Sequence, residues 1–193
     1  HGVGAKCVNA LSDWFKAEIM RNGKVHLIGF ERGKTTIPLH VIGEVDPGKA
    51  GAMITFLTDG TIFVDTIEFK FDRLATRLRE LAFLNPGLII DLEDERPESA
   101  KKESFYYAKG IEEFVIQLGE NKTVIHDTPV ILNGKRQIEL DYDGKQTTDD
   151  VFADVVFQYN DSYNDNILCF ANSIPNGDGG NHRPRGHADA RSH

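Results

Sequence analysis

The sequence has few of the residues that staple small domains or hold metal ions. It contains only two cysteines in 193 residues, Cys7 and Cys169, and these lie far apart without metal-ligand spacing. Two buried thiols in a reducing cytoplasm explain this pattern best, so we expect neither a disulfide framework nor a metal centre. No apolar run approaches the roughly 20 residues that span a bilayer, and nothing at the N-terminus resembles a signal peptide. We therefore expect a cytoplasmic protein.

An excess of positive charge is also missing. The chain carries 22 Lys and Arg residues against 30 Asp and Glu residues, which gives a formal net charge of −8. A surface made to grip nucleic-acid phosphates needs clustered Lys and Arg. The composition, 40% hydrophobic and 27% charged, is that of a globular chain able to bury a core in one large or two small domains.

Strand signals dominate the first 60 residues. Asn22 and Gly23 separate two alternating segments, at 15–19 and 24–31, and an Asn-Gly pair in that setting predicts a β-hairpin. Two further strands fit residues 39–43 and 52–56. A short helix is expected before them, over residues 6–11.

Two helices and further strands are predicted beyond residue 70. Residues 72–83 have helical spacing of leucines, with Asp72 as N-cap and a stop at residues 85–87, and residues 111–118 have a second apolar helical face. Residues 96–102 read as a polar loop. Strands are predicted at residues 88–92, 130–132, 138–142, 151–159 and 167–172. The fold class is therefore α+β, with a domain boundary near residues 108–110.

The glycine-rich start combines two features that an anion site needs. Gly2 and Gly4 lack a Cβ, so the backbone there can turn sharply and bring its N–H groups close to a ligand. The helix that follows adds unpaired N–H donors, and Lys6 adds a positive charge. A plain turn has the same sequence pattern, and the segment is not a P-loop because no Gly-Lys-Ser or Gly-Lys-Thr follows.

Several segments in order resemble one family. Residues 1–5 (HGVGA) and 8–12 (VNALS) are similar to the third nucleotide motif of gyrase-type ATPases, which share a superfamily with Hsp90, MutL and sensor histidine kinases. Residues 73–85 (RLATRLRELAFLN) resemble a helix peculiar to the gyrase branch. Further matches to the start of that branch's transducer domain lie at residues 110–115, 121–123, 158–163 and 166–167. The chain thus resembles an internal fragment of the ATPase subunit of bacterial type II DNA topoisomerases, either DNA gyrase B or its topoisomerase IV counterpart.

The resemblance implies a domain plan and a ligand. Residues 1–108 would be the C-terminal part of a gyrase/Hsp90-type ATPase sandwich, residues 109–180 the start of a transducer domain, and residues 181–193 a disordered or aberrant tail. ATP and Mg²⁺ are the implied cofactors, with the magnesium-binding Asn and the general-base Glu upstream of the glycine motif. Arg21 would lie near the mouth of the adenine pocket, although a solvated hairpin residue explains it equally well. The implied nucleotide-binding residues are His1, Gly2, Val3, Gly4, Ala5, Lys6 and Arg21.

Three segments depart from the family or invite another interpretation. Ala52 stands where the family usually has Thr, whose hydroxyl helps a water contact adenine, and alanine cannot make that hydrogen bond. Residues 181–193 lose the family pattern and contain three His and three Arg, which favours disorder over a metal-binding tail. The acidic residues Asp91, Glu93, Asp94 and Glu95 fit a strand running into a polar loop better than a metal site.

The resemblance implies an ATP-dependent type II topoisomerase, in which ATP binding and hydrolysis drive DNA strand passage. The implied partners are DNA, the companion A-type subunit and a second copy of the same chain. We expect these 193 residues alone not to hydrolyse ATP, because none is placed to activate a water. The alternative is a non-enzymatic interaction module on the same scaffold, and a histidine kinase is a weaker rival because it would lack the helix at 73–85. The coding sequence upstream of His1 distinguishes enzyme from module.

Overall fold

The computed structural model describes residues 3–142, 145–163 and 166–176. The predicted tail over residues 181–193 lies outside these residues. The chain forms two compact units, residues 1–69 and 70–193, and each mixes strands with helices, as the predicted α+β class requires. The domain boundary near residue 108 stays a prediction, because packing units and family domains need not coincide.

A four-stranded antiparallel sheet forms most of the first unit. Its strands lie in the order β3-β2-β1-β4, and a short helix precedes them. The elements are α1 (Gly4–Ala10), β1 (Ser12–Arg21), β2 (Lys24–Glu31), β3 (Lys34–Glu44) and β4 (Gly51–Thr58).

Two tight turns set the register of this sheet. Asn22 and Gly23 have φ values of 52° and 73°, which confirms the predicted hairpin between β1 and β2. Arg32 and Gly33 repeat this geometry between β2 and β3, with φ values of 46° and 77°. The sequence did not predict the second turn, because arginine is uncommon at positive φ.

One face of the sheet carries the core of the first unit. Phe15 and Ala17, two residues apart on β1, are both buried. Phe15 meets Phe30 edge to face, with ring centroids 6.0 Å apart. Both cysteines were predicted to be buried. This is wrong for Cys7, which is exposed and lies on α1, a helix with no buried residue. Cys169 is half-buried.

Within the described residues, the second unit contains two helices and three pairs of antiparallel strands. None of the helices in the described residues is both long and apolar enough to cross a membrane. The elements are α2 (Phe71–Leu84), β5 (Ile90–Asp94), β6 (Lys101–Phe105), α3 (Ile111–Leu118), β7 (Val130–Tyr142), β8 (Lys145–Phe157), β9 (Phe170–Ala171) and β10 (Ile174–Pro175).

The predicted helices are present, with one error at a terminus. Helix α3 has the predicted bounds, and α2 ends at Leu84, directly before the predicted stop at residues 85–87. The assignment of Asp72 as N-cap is wrong, because the N-cap is Lys70 and Asp72 lies inside the first turn. There its charge interacts favourably with the helix dipole but caps no N–H group.

One strand prediction is also corrected. The predicted polar loop is present over residues 96–100, and β6 begins at the last two residues of the predicted range. Cross-strand charge pairs, such as Lys102 with Glu93 at 2.8 Å, line the exposed hairpin that β6 forms with β5. The strands predicted at 130–132 and 138–142 are one strand, β7, which pairs with β8 along its whole length. The ladder runs through residues 133–137 without a break, and Gly134 is paired with Ala153.

Aromatic stacking joins α2 to α3. Phe83 is fully buried, and its ring stacks on Tyr107 and Phe114 at centroid distances of 3.5 and 4.5 Å. Gly110, the N-cap of α3, has a φ of 59°. A Cβ at Gly110 would lie 2.6 Å from Cγ of Pro86 and 2.8 Å from the carbonyl oxygen of Phe83. The close approach of α3 to the end of α2 therefore depends on glycine at position 110.

We predict that Gly110→Ala lowers the free energy of unfolding by at least roughly 1–3 kcal/mol, because it adds a left-handed alanine and a backbone clash. Urea denaturation of the purified chain measures this change. Gly134→Ala is the matched control, since its added Cβ meets no atom of the described residues within 4 Å. Equal stability of the two variants would contradict the role of Gly110.

Candidate functional site

The predicted phosphate-binding residues lie at the start of α1. His1 and Gly2 fall outside the described residues. Val3 is the N-cap, and Gly4, Ala5 and Lys6 form the first turn of the helix, which begins two residues earlier than the sequence predicted. Val3 and these three residues are exposed.

This first turn has the chemistry that an anion requires. The first N–H groups of a helix have no acceptor within the helix. No side chain of the described residues caps them, and the first turn contains no acidic residue that would repel an anion. Because α1 has only seven residues, we expect these N–H groups and the charge of Lys6 to contribute more than the helix dipole.

The structure corrects the expected reason for glycine at position 4. Gly4 is the first helical residue, and its φ is not positive, so the backbone there needs no special freedom. A Cβ added to Gly4 would meet no atom of the described residues within 4 Å. The fold therefore tolerates a side chain at this position, and the open space in front of the turn is where a ligand would approach.

Hydrogen bonds at its C-terminus anchor α1 to the sheet. The Ser12 hydroxyl donates to the carbonyl of Val8 at 2.5 Å, which satisfies one of the last acceptors of the helix. The backbone N–H of Asp59 donates to the carbonyl of Leu11 at 3.1 Å. The N–H of Arg32 donates to the carbonyl of Ser12 at 3.2 Å. The helix is thus held by the turn between β2 and β3 and by the segment after β4.

A buried carboxylate joins these two segments. Asp59 is 2% exposed, and it accepts hydrogen bonds from the N–H and hydroxyl of Thr61 at 2.8 and 2.7 Å. Arg32 donates from Nε to the same carboxylate at 2.7 Å, and its Nη2 lies 3.1 Å from Asp13. The pKa of Asp59 is held below its ordinary value, mainly by the hydrogen bonds from Thr61 and to a smaller extent by Arg32.

The sequence alone predicts a strand at residues 52–56, before Asp59, and gives this aspartate no role. A local signal was present, because an Asp two residues before a Thr is typical of a turn in which the side chain accepts from the backbone of residue i+2. The partner Arg32 lies 27 residues away, and no local pattern indicates that contact.

Arg21 and Ala52 lie together at the other end of the sheet. Ala52 is paired with Ile19, two residues before Arg21, and the alternation of β1 puts all three side chains on one face. Arg21 is exposed and forms no ion pair with the described residues. The structure thus brings Arg21 and Ala52 together, and the C-terminal end of α1 joins the opposite end of β1.

Two of the acidic residues in the β5–β6 hairpin, Glu93 and Asp94, are paired with cations. Asp94 accepts from Arg96 at 2.6 Å and from the Ser99 hydroxyl at 3.0 Å, and Arg96 first and then Ser99 hold the pKa of Asp94 far below its ordinary range. Glu93 is bonded to Lys102. Among the described residues, no three His, Cys, Asp or Glu side chains group in a way that could hold a metal ion.

Comparison with known proteins identifies the family. The sequence model of the DNA gyrase B family matches residues 110–186. The DNA gyrase B protein of Halalkalibacterium halodurans is 43% identical over 94% of this chain, and that of Thermotoga maritima is 42% identical over the same share. The chain belongs to the DNA gyrase B family. It spans about a quarter of the length of these gyrase B proteins, 26% and 27% respectively.

A solved gyrase B structure has the same fold. The 43K ATPase domain of Thermus thermophilus gyrase B, crystallised in complex with an aminocoumarin, superposes with a TM-score of 0.74 and 36% sequence identity. The match covers 90% of this chain and 43% of that one. It confirms the α+β fold of a gyrase B ATPase region that the sequence resemblance implies.

We predict that the free energy of unfolding falls less steeply with decreasing pH in Asp59→Asn than in the wild type. Because the pKa of Asp59 is lower in the folded chain than its ordinary value of 3.8, Asp59 adds stability above that value, and this stability is lost as the pH falls through and below it. The variant should be less stable than the wild type at pH 7 and closer to it at about pH 3. Urea denaturation at both values measures this difference. Asp65→Asn, at an exposed position of the same unit, is the control. The prediction is contradicted if the free energy of unfolding falls equally between pH 7 and about pH 3 in Asp59→Asn and in the wild type.

Proposed function

We propose that this chain is the nucleotide-binding part of an ATP-dependent type II DNA topoisomerase. The observation that carries the proposal is its likeness to the Thermus thermophilus gyrase B ATPase domain, at 36% identity over 90% of the chain. An identity of 36% supports a shared function as well as a shared fold. The net charge of −8 fits a motor domain better than a main DNA clamp.

The phosphates of ATP would lie against the start of α1. Backbone N–H groups of residues 1–5 would donate to the phosphate oxygens, and Lys6 would add a point charge. The uncapped first turn, free of acidic side chains, supports this assignment. Nothing in the fold fills the space in front of Gly4 within the described residues.

The adenine would lie near Arg21 and Ala52. Arg21 and Ala52, the two positions that the family resemblance connects with the base, share one face and one end of the sheet. This grouping supports a base-recognition role for that end. With alanine at position 52, the side chain offers no hydrogen bond to a bridging water, so other groups must supply more of the base recognition.

The chain's own residues would bind and orient ATP. In the gyrase-type ATPases that it resembles, the Glu that activates water and the Asn that binds Mg²⁺ precede the glycine motif. The described residues offer no grouping of ligands for a metal ion. We therefore assign no step of hydrolysis to a residue of this chain and no step to the metal.

The relatives suggest how ATP binding would be used. The matched relatives are named as DNA gyrase B proteins, and the family match over residues 110–186 covers most of the segment that we assign to the transducer, residues 109–180. ATP binding would pair two subunits, and the transducer would pass the change to the part that cleaves DNA. The partners would be DNA, an A-type subunit and a second copy, in the cytoplasm.

We predict that Gly4→Val abolishes nucleotide binding while the protein stays folded. The valine side chain would occupy the approach of the phosphates without disturbing the helix, since position 4 is open and helical. Each charge-assisted N–H contact contributes roughly 1.5–3 kcal/mol, so losing two would weaken binding by roughly 10²- to 10⁴-fold.

The measurement is calorimetric titration with a non-hydrolysable ATP analogue. The host is a full-length Thermotoga maritima gyrase B whose matching segment is replaced by this chain, and circular dichroism checks folding. Lys6→Ala is the milder comparison, because it removes one flexible charge and leaves the backbone donors in place. Near-normal affinity in a folded Gly4→Val protein would sink the nucleotide assignment of this turn.

We also predict that Ala52→Thr tightens nucleotide binding in the same host by roughly 2- to 10-fold. The added hydroxyl supplies one hydrogen bond, worth about 0.5–1.5 kcal/mol, to a water beside the base. Ala52→Val is the matched control, since it has the same shape without the hydroxyl. Equal affinities of the Thr and Val variants would show that position 52 does not contact the base through water.

A further inference from the structure

We propose that Arg32 is a positioning residue for the nucleotide site, acting through its ion pair with Asp59 on the helix that carries the phosphate-binding turn. The proposal rests on the proposed function, since it concerns how the same turn is held in place. Neither residue lies in the glycine motif, and neither is assigned a contact with ATP.

Helix α1 cannot hold its own position. It has seven residues, none of them buried, and helices this short are unstable in isolation. Within the part of the chain that the structure describes, no side chain caps its first turn. Its orientation must therefore come from contacts at its C-terminal end, where Ser12, 1% exposed, joins it to β1.

The contacts at that end come from two separate segments. Arg32 and Gly33 belong to the turn between β2 and β3, and Asp59 follows β4. The N–H groups of Arg32 and Asp59 donate to the carbonyls of Ser12 and Leu11. A Cβ on Gly33 would lie 3.5 Å from the Cα of Ala10, so this turn packs directly against the last helical residue.

The Arg32–Asp59 pair fixes these two segments relative to each other. The 2.7 Å bond from Nε to Asp59 is a side-chain link between them, and a second arm of the guanidinium reaches Asp13 at the start of β1. One planar side chain therefore ties together all three strand ends that surround the C-terminus of α1. Arginine suits this role because its donors point in fixed, diverging directions.

The backbone of Arg32 supports the view that its side chain is what the site requires. Its φ of 46° is a conformation that favours Gly, Asn or Asp over other residues. The turn alone would be better served by one of those residues. The arginine side chain, by contrast, satisfies a carboxylate that is almost wholly buried.

The expected loss of nucleotide affinity on removing the Arg32 guanidinium follows from the fraction of molecules in which α1 is correctly placed. Phosphate binding needs the N–H donors of the first turn in one arrangement, and apparent affinity falls in proportion to the fraction of molecules that have it. If loss of the guanidinium leaves α1 correctly placed about a tenth of the time, nucleotide affinity falls about tenfold. Turnover at saturating nucleotide should change less than twofold, because binding energy then restores the placed state.

The test compares Arg32→Met with Arg32→Lys. The methionine keeps an apolar stem and removes the charge, whereas lysine keeps a charge for Asp59 but cannot also reach Asp13. Lys102→Met is the matched control, because it removes an exposed ion pair with Glu93 in the other unit. Amide hydrogen exchange by NMR on the 193-residue chain reports α1 directly, and ATP-analogue affinity, KM and kcat are measured in the full-length host.

In Arg32→Met we expect at least about tenfold faster exchange at the amides of Cys7, Leu11 and Asp59, with exchange in the β1–β2 ladder changed less than twofold. We expect about tenfold weaker ATP-analogue binding, a raised KM, an unchanged kcat and partial recovery in Arg32→Lys. Uniformly faster exchange across the first unit would show that Arg32 stabilises the whole unit and not α1 in particular, and it would overturn the proposal. Unchanged exchange at α1, or unchanged affinity, would also overturn it.

The experiments distinguish a failure of the positioning role of Arg32 from a failure of the nucleotide assignment. If Gly4→Val binds the analogue normally, the nucleotide assignment fails whatever Arg32 does. If Gly4→Val loses binding and Arg32→Met keeps it, the nucleotide assignment stands and the positioning role alone fails.

Discussion

The first unit depends on how one buried carboxylate is satisfied. A carboxylate removed from water is stable only when charge and hydrogen bonds replace its hydration. Asp59 receives two hydrogen bonds from Thr61 and one from Arg32, and these partners lie on different segments. The requirement to satisfy this group therefore fixes the end of β4 against the turn between β2 and β3. The anchoring of α1 follows from that arrangement.

The second unit contains a similar carboxylate with a different consequence. Asp94 is bonded to Arg96 and Ser99, two and five residues away, so its hydrogen bonds close a local loop at the tip of the β5–β6 hairpin. The partner of Asp59 lies 27 residues away and joins distant parts of the sheet. The same chemistry thus shapes a turn in one case and a tertiary junction in the other. Sequence separation decides which.

The features that sequence reasoning predicted well are those determined by neighbouring residues. The hairpin at Asn22-Gly23 and the bounds of α3 follow from turn chemistry and helical spacing, and the family assignment follows from motifs in order. The turn at Arg32 was missed because a tertiary ion pair stabilises it against the local preference of arginine. Strand β6 begins earlier than the predicted polar loop allows, because cross-strand charge pairs with β5 stabilise residues whose polar side chains do not reveal a strand by themselves.

Two glycines show why a motif residue needs structural context before it indicates function. At Gly110 a Cβ would strike Pro86 and the backbone of Phe83, and φ is positive, so the fold itself explains the glycine. At Gly4 the backbone is helical and the surrounding described residues leave open space, so the fold gives no reason for it. A glycine that folding does not require is more informative about a ligand than one that folding does. Nothing in the described residues would exclude a side chain at Gly4, so this glycine bears on the proposed phosphate contact and not on the fold.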